Sequence, residues 1–224
     1  MDARIRLHYY RLMGALLGPV FTRLVYPLYF RNPPAPQKSI YVKPEMICGW
    51  YPGSRFRELS FLGRIRNGNW HKNVIPRKVI LSGSSKINST ISHLRDGVPW
   101  IDTPLFRERY AKGASSEDLA RKAKEYDRFD RLFDEIKAAG FRVADRRTRP
   151  MFVHIGPRGE IYWTSGGNHR LAMAMILGLE IPVLVLSRHM KWQEFREAAF
   201  LKPDSLPEDL IDHPDLQEFP YTCR

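Results

Sequence analysis

Cysteine is nearly absent from this chain, because only Cys48 and Cys223 occur among its 224 residues. Two cysteines cannot build the disulfide framework that holds a small secreted domain together. No Cys-x-x-Cys pair and no Cys/His pair at zinc spacing occurs either, so the sequence predicts no zinc site. A reducing compartment fits this composition best, and we expect the protein to lie in the cytoplasm.

Long apolar runs and the familiar catalytic motifs are also missing. The apolar stretch over residues 12–30 is interrupted by Pro19 and Arg23 and is too short to span a bilayer. No small-x-small cleavage site of a signal peptide follows it. The chain has no nucleophile elbow, no His-Glu-x-x-His pair, no Walker lysine loop and no EF-hand loop. We therefore predict no metal site among its residues.

Acidic residues are scarce compared with basic ones. The chain has 24 Asp and Glu against 36 Lys and Arg, which gives a net charge of +12. This balance favours an anionic partner such as a nucleotide, a nucleic acid or an acidic membrane, and a merely solvated basic surface also fits it. Because 43% of the residues are hydrophobic, we expect one domain with a real core, extended by appendages.

The first appendage is residues 1–37, a basic and apolar segment that ends in a proline-rich linker. Residues 2–40 carry six Arg or Lys and one Asp, a net charge of +5. Two interpretations stay open for this segment. It lies in the interface of an anionic membrane through residues 1–30, at the inner face of that membrane, or it forms a helix packed on the domain.

Residues 38–202 carry the alternation of strands and helices that is typical of an α/β (α+β) domain. Ser115 is a natural N-cap and Gly140 a natural C-cap for the longest predicted helix. In the first half, periodicity and turn residues predict a strand at 39–47, a loop at 48–54, helices at 84–96, 105–110 and 117–139, a basic loop at 142–150, and a hairpin of strands at 151–155 and 161–164.

The second half is predicted to contain a helix at 170–177, a buried strand at 181–186 and a last helix at 191–200. Residues 203–218 hold six acidic residues and no Lys or Arg. We therefore expect residues 203–224 to form a loosely packed acidic tail, which either pairs with the basic surface or is solvated.

A glycine pair between a predicted strand and a predicted helix carries the main chemical signal. Gly166 and Gly167 let the backbone turn sharply and approach a ligand closely. The helix that follows offers unpaired N–H groups and the positive end of its dipole, which together suit a phosphate group. His169 and Arg170 add donors at the same point. A tight turn with a packed histidine is the alternative that this pattern leaves open.

Three segments in this order resemble the ParB/sulfiredoxin superfamily. They are a helix ending in glycine, a Gly-x-His-Arg turn followed by a helix, and a Leu-Gly-x-x-Ile-Pro-Val strand, at 133–140, 167–172 and 177–183. The resemblance covers residues 125–197, about a third of the chain. Further similarity at 97–100, 126–130, 187–193 and 213–217 extends to uncharacterised ParB-like proteins of archaea and bacteria. The resemblance implies a small mixed sheet with flanking helices, to which the N-terminal segment adds a helical and extended extension.

The turn binds nucleotide phosphates in this superfamily, with CTP in ParB and ATP in sulfiredoxin. The resemblance therefore implies ATP or another nucleoside triphosphate as a cofactor, accompanied by Mg²⁺. Sulfiredoxin has a reactive cysteine where this chain has Asn168, so reductase chemistry lacks its nucleophile. Many ParB-like relatives have Asp at the position of Gly166. The residues expected to bind the nucleotide are Ser165, Gly166, Gly167, Asn168, His169 and Arg170.

A phosphotransferase also needs a base for its acceptor and cations for the phosphates. Asp127, Asp130 and Asp134 share the predicted helix before the hairpin, and we choose Asp130, with His169, as the catalytic candidates. An ordinary solvated helix face is the alternative for these carboxylates. Because ligand sites of α/β folds lie beyond the carboxyl ends of strands, Arg188, His189 and Lys191 are candidates for binding the substrate. Arg131, on the predicted helix of these carboxylates, is a further candidate.

These observations predict a nucleotide-binding protein, an ATP-dependent phosphotransferase that acts on a small-molecule, glycan or lipid-linked acceptor. One alternative is a nucleotide-gated DNA-binding or scaffold protein of the ParB type, which the net charge favours. No helix-turn-helix follows the turn, so nucleic acid is the less favoured partner. The other alternative is a ParB-like nuclease, for which the sequence shows no dense carboxylate cluster. The sequence leaves the oligomeric state open.

Overall fold

The computed structural model of the chain describes residues 20–35, 38–52, 63–110, 115–141, 151–164, 166–202, 204 and 206–217. The expectations for residues 1–19, for the basic loop 142–150 and for Ser165 lie outside the described residues.

The architecture is mixed α/β, with helices packed around an open mixed sheet. The strands are β1 (Ser39–Val42), β2 (Ile47–Trp50), β3 (Arg64–Arg66), β4 (Ile75–Pro76), β5 (Met151–Ile155), β6 (Ile161–Trp163) and β7 (Ile181–His189). The α-helices are α1 (Arg77–Gly83), α2 (Ser85–Asp96), α3 (Pro104–Tyr110), α4 (Ser116–Ala139), α5 (Asn168–Leu177) and α6 (Met190–Leu201).

The strand order is β1-β7-β5-β6-β2-β4, and β3 also pairs with the end of β7. Strands β5 and β7 run parallel, whereas β5 and β6 form an antiparallel hairpin. β7 lies between β1 and β5, and both of its faces are buried, as the adjacent Val185 and Leu186 show no exposed area. The helix α5 packs its buried Leu171 and Ala172 into the same core. The predicted hairpin and the α/β class are confirmed.

The strand predicted over 39–47 is wrong, because the structure divides this region into two strands. β1 ends before Pro44, whose three-residue 3₁₀ turn redirects the chain into β2. A proline has no N–H to donate to a ladder, so it commonly stops a strand. β1 then pairs with β7 and β2 with β6. Residues 48–50, predicted as part of a loop, belong to β2.

The predicted helices at 84–96, 105–110 and 117–139 are confirmed as α2, α3 and α4. Local capping explains why their ends could be read from the sequence. The Ser84 hydroxyl accepts from the N–H of Ile87, and the Ser115 hydroxyl accepts from the N–H of Asp118. The helix α1 and the short strand β3 were not predicted, since neither has a clear periodic pattern.

The C-terminal segment 206–217 is not loosely packed, which corrects that expectation for these residues. His213 and Leu216 are buried, and Asp215 shows no exposed area. The Asp215 carboxylate accepts from Arg188 and from the Trp192 indole, and it lies 3.2 Å from Nε of Arg196. One acidic residue of this segment, Asp215, therefore pairs with basic groups inside the protein.

The described part of the N-terminal segment is a helical turn followed by an extended stretch, and it is fixed to the domain. The Glu197 carboxylate of α6 accepts from the backbone N–H groups of Arg31 and Asn32, each at 2.8 Å. The Tyr26 hydroxyl accepts from the N–H of Ile65. Within the described residues, no helix combines the length and the apolar character that crossing a membrane requires.

Candidate functional site

A pocket of about 400 Å³ opens beside the predicted glycine turn. It is lined by β2 and the edge strand β4, by α1 and by the first residues of α2 and α5. Its walls are formed by two indoles, several aliphatic side chains and a few polar groups, namely Trp50, Ile75, Val79, Ile80, Gly83, Ser84, Lys86, Trp163, Gly166 and Asn168. A concave, mostly apolar site with few polar groups is the usual form of a small-molecule site.

The turn itself needs both of its glycines. Gly166 has φ +108° and Gly167 has φ +78°, a region that other L-residues rarely adopt. A Cβ on Gly167 would lie 2.3 Å from Cγ of Met151, whereas one on Gly166 would meet no atom within 4 Å. The Trp163 indole donates to the Gly166 carbonyl at 2.8 Å. Gly166 therefore faces open space at the pocket, whereas Gly167 packs closely against Met151 of β5.

The helix α5 begins directly after this turn, at Asn168 rather than at Arg170 as predicted. Because its N-cap residue is Gly167, no side chain caps the helix. The positive end of the helix dipole and the N–H groups of the first turn lie at the pocket wall that Asn168 lines. This arrangement suits an anionic group.

Lys86 adds a positive charge to the same pocket. It lies in the first turn of α2 and lines the pocket together with Gly166 and Asn168. Burial, and then the nearby charge of Arg109, lower the pKa of Lys86 below its ordinary value. Sequence reasoning missed this lysine, because nothing in its local pattern indicates that α2 packs beside α5.

His169 lies behind the turn in an aromatic environment. Its ring stacks on Phe129 with 4.0 Å between ring centroids, and its Nδ1 lies 2.7 Å from the Thr90 hydroxyl. Since that hydroxyl donates to the Lys86 carbonyl, Nδ1–H of His169 donates to Thr90. Burial, and then the charges of Lys86, Arg128 and Arg109, lower the pKa of His169 to about 4.

A histidine with this pKa is neutral near pH 7 and is a weak base. The contacts make His169 a positioning residue that joins α5 to α2 and α4, and they do not support the predicted catalytic role. Arg170 is half-buried, and burial lowers the pKa of its guanidinium. Neither side chain is among those that line the pocket.

Asp130 lies in a second polar cluster next to these aromatic rings. Its Oδ1 accepts from the Trp100 indole and faces Nε2 of His93, each at 3.0 Å. The other nitrogen of His93, Nδ1, lies 2.7 Å from the Val98 carbonyl oxygen. Both ring nitrogens of His93 thus face an acceptor oxygen. Asp130 is thus held by side chains, unlike the exposed Asp127 and Asp134.

The predicted substrate-binding residues do not meet the turn. Arg188 and His189 lie within β7, not beyond it, because this strand extends three residues past its predicted end. The turn follows β6, which runs antiparallel to β5. It therefore lies at the end of the sheet where β5 and β7 begin. Arg188 and His189 lie at the opposite end, where those two strands finish.

The side chains of these residues are also engaged elsewhere. Arg188 is fully buried against Asp215, and His189 contacts the Gly68 carbonyl and the N–H of Lys191. Lys191 and Arg131 are exposed. The rule that ligands bind at the carboxyl ends of strands holds for parallel sheets. In this mixed sheet the turn and the ends of β5 and β7 lie apart.

Comparisons of the chain with family models, with curated proteins and with solved structures give no match. Among the described residues, no group of three or more His, Cys, Asp or Glu is arranged to hold a metal ion. The candidate site is therefore defined by its own geometry: an indole-lined pocket, a glycine turn, a helix N-terminus and Lys86.

Proposed function

We propose that this protein binds a nucleoside triphosphate in the pocket beside the glycine turn and uses it as a phosphoryl donor. One observation carries this proposal: the N-terminus of α5 and Lys86 line the same pocket, and two indole rings form further parts of its wall. An aromatic base and a phosphate chain need these two kinds of wall next to each other.

Each part of the ligand has a matching part of the site. The base stacks against Trp50 or Trp163, since indole rings favour flat aromatic ligands. The phosphates lie at the Gly166 end, where the first turn of α5 supplies N–H donors. Lys86 supplies the cation that such phosphates require. The described pocket walls contain no carboxylate that would repel them.

The resemblance to the ParB/sulfiredoxin superfamily supports the same proposal. In that fold the corresponding turn binds the phosphates of ATP or CTP. Asn168 replaces the cysteine of sulfiredoxin and lines the pocket. An amide binds phosphate oxygens but cannot act as a thiolate, so we propose transfer to an external acceptor and not reductase chemistry.

The acceptor in this proposal is a small molecule, a glycan or a lipid-linked intermediate. Asp130 remains the proposed base, because His93 and Trp100 hold only its Oδ1, and the described residues place no donor on Oδ2. We propose that Mg²⁺ is bound by the phosphates, as is common for this ion.

The location that we propose is the inner face of a membrane, with the bulk of the protein in the cytoplasm. Leu24, Leu28 and Tyr29 are 67%, 78% and 76% exposed on a turn that is fixed to the domain. Residues 2–40 carry a net charge of +5. Apolar side chains flanked by basic ones are what an anionic lipid interface binds.

The nucleotide proposal is tested by titrating ATP and following tryptophan fluorescence, since two indoles line the pocket. Lys86→Gln should weaken ATP binding about tenfold, the effect of losing one charge-assisted contact. Lys137→Gln removes an exposed lysine of α4 and should leave binding unchanged. Equal ATP affinity in both variants contradicts the proposed phosphate site. Salt-dependent DNA binding without any nucleotide response would instead favour the ParB-type alternative.

A further inference from the structure

Trp163 connects the sheet to the glycine turn. It is the last residue of β6, where it pairs with Trp50 of β2 on one side and with Val153 of β5 on the other. Its carbonyl accepts from the N–H of Tyr51 at 2.7 Å, and the residue is only 3% exposed. The indole is therefore buried and attached to a backbone that neighbouring strands hold on both sides.

The two glycines of the turn have no side chains that could fix the peptide unit between them. A Cβ on Gly166 would meet no atom within 4 Å, so packing does not hold this residue. Glycine adopts positive and negative φ about equally well. The peptide unit that joins Gly166 to Gly167 can therefore turn over with little steric cost, and the local sequence selects neither orientation.

The Trp163 indole selects one of these orientations. Its N–H donates to the Gly166 carbonyl at 2.8 Å. Because a trans peptide unit is planar, its C=O and its N–H point in opposite directions. A fixed carbonyl on Gly166 thus also fixes the N–H of Gly167, which points away from the indole. Within the described part of the chain, no residue accepts a hydrogen bond from this N–H.

The two orientations differ in what they offer to an anion. In the observed one, the Gly167 N–H adds a donor directly before the first turn of α5, between Gly166 and Asn168, which both line the pocket. Successive backbone N–H groups of this kind form anion-binding concavities. A reversed peptide unit would place a carbonyl oxygen there instead, and its partial negative charge would repel a phosphate.

We propose that Trp163 is a positioning residue for phosphate binding, because its indole N–H holds the Gly166–Gly167 peptide in the orientation that offers the Gly167 N–H to the ligand. This inference rests on the proposed function, to which it adds the group that orients the phosphate turn. The two indoles of the pocket then have separate roles. Trp163 is buried and acts through Gly166, whereas the half-buried Trp50 offers its ring to the base.

Trp163→Phe tests this role, because it keeps an aromatic ring in the core but removes the N–H. By isothermal titration, ATP and inorganic pyrophosphate should each bind about fivefold more weakly, the effect of one hydrogen bond. The affinity for adenosine, which has no phosphate, should be unchanged. Trp192→Phe is the matched control, since it removes an equally buried indole whose N–H donates to Asp215 beyond the end of β7. It should bind all three ligands as the unchanged protein does.

A second measurement uses the unchanged protein and so does not depend on how well a variant folds. Saturating pyrophosphate should move the amide proton resonance of Gly167 downfield in ¹H–¹⁵N spectra, and Trp163→Phe should reduce that shift. An unmoved Gly167 resonance in the unchanged protein overturns the inference. Equal pyrophosphate affinity in Trp163→Phe and Trp192→Phe does so as well.

The two ligands separate this inference from the proposed function. If ATP binds and its affinity is the same in Trp163→Phe, the nucleotide site stands and the role of Trp163 fails. If ATP does not bind while pyrophosphate moves the Gly167 resonance and binds more weakly to Trp163→Phe, the role of Trp163 stands and the proposed function fails.

Discussion

At the scale of single residues, the glycine turn shows how one position can serve two purposes. Gly167 combines a positive φ with the closest approach of any described glycine to a neighbouring side chain, Met151. Gly178 also has a positive φ, but a Cβ there would meet nothing within 4 Å. Comparing substitutions at the two positions therefore separates the cost of a positive φ from the cost of steric overlap.

We predict that Gly167→Ala destabilises the fold more than Gly178→Ala does. A left-handed alanine costs about 1 kcal/mol at either position, and the overlap with Met151 adds about 1–3 kcal/mol at Gly167 only. Urea denaturation of both variants measures the difference. Equal free energies of unfolding would show that Met151 moves away without cost.

At the scale of elements, strand β5 carries a histidine in the interior of the sheet. His154 is fully buried and its Nδ1 lies 2.7 Å from the Ser187 hydroxyl of β7. Burial, and then the charge of Arg66, lower the pKa of His154 to about 3. The unfolded chain therefore takes up a proton first when the pH falls below about 6.5, which favours unfolding.

We predict that stability is retained above about pH 6.5 and is lost progressively as the pH falls toward the folded pKa. Between about pH 7.5 and about pH 5, His154 alone should cost about 2 kcal/mol. Urea denaturation at both pH values measures the loss. His154→Gln should be less stable at neutral pH but should lose about 2 kcal/mol less on acidification. The same pH dependence in both proteins would contradict this account.

The elements that could be predicted from the sequence are those whose signals are local. Helix α4 follows from apolar spacing between the Ser115 cap and Gly140, and both signals lie within the helix and its ends. Strand β7 was predicted too short because Ser187 and Arg188 look like loop residues. Both are buried in contact with partners that are distant in sequence. Ser187 forms a hydrogen bond with His154, 33 positions away, and Arg188 donates to Asp215, 27 positions away.

The candidate site likewise has parts that could be predicted from local sequence and parts that could not. The glycine pair and the start of α5 are continuous in sequence, so the turn that they form could be predicted. Trp50 and Lys86 reach the pocket only through the packing of β2 and α2 against that turn. A residue whose role depends on such packing has no signal in its own neighbourhood.

At the scale of the whole molecule, one buried carboxylate joins the C-terminal segment to the sheet. Although burial opposes its ionisation, Arg188 and Arg196 hold the pKa of Asp215 below its usual range. Lys38 also contacts Asp215, and burial lowers the pKa of Lys38 to about 8. Residues from the start, the end and the last strand of the domain thus share one charge centre.

We predict that Asp215→Asn lowers the free energy of unfolding by about 3–5 kcal/mol, because it leaves buried cations without their counter-charge. Chemical denaturation measures the change. Asp96→Asn breaks an exposed contact with Arg95 and should leave the denaturation midpoint unchanged. A small effect for Asp215→Asn would contradict this prediction and would mean that water solvates Arg188 and Arg196 in place of the carboxylate.

The exposed apolar residues Leu24 and Leu28 allow the proposed membrane binding to be tested. The double variant Leu24→Ser/Leu28→Ser should lower co-sedimentation with phosphatidylglycerol vesicles roughly tenfold. Ile101→Ser/Ile211→Ser removes two exposed apolar side chains elsewhere and serves as the control. Equal sedimentation of both variants would contradict a membrane-binding face at residues 24–29.

The most direct test of the central claim is thermal stability with a panel of ATP, CTP, GTP and ADP, each with Mg²⁺. Gly83 lines the pocket, and a Cβ there would meet no atom within 4 Å, so Gly83→Leu should fill the pocket without straining the fold. We predict that one nucleotide raises Tm by about 5 °C or more at saturation, and that the shift disappears in Gly83→Leu but persists in an Ala138→Leu control. No shift with any nucleotide, or the same shift in Gly83→Leu, would contradict a nucleotide site in this pocket.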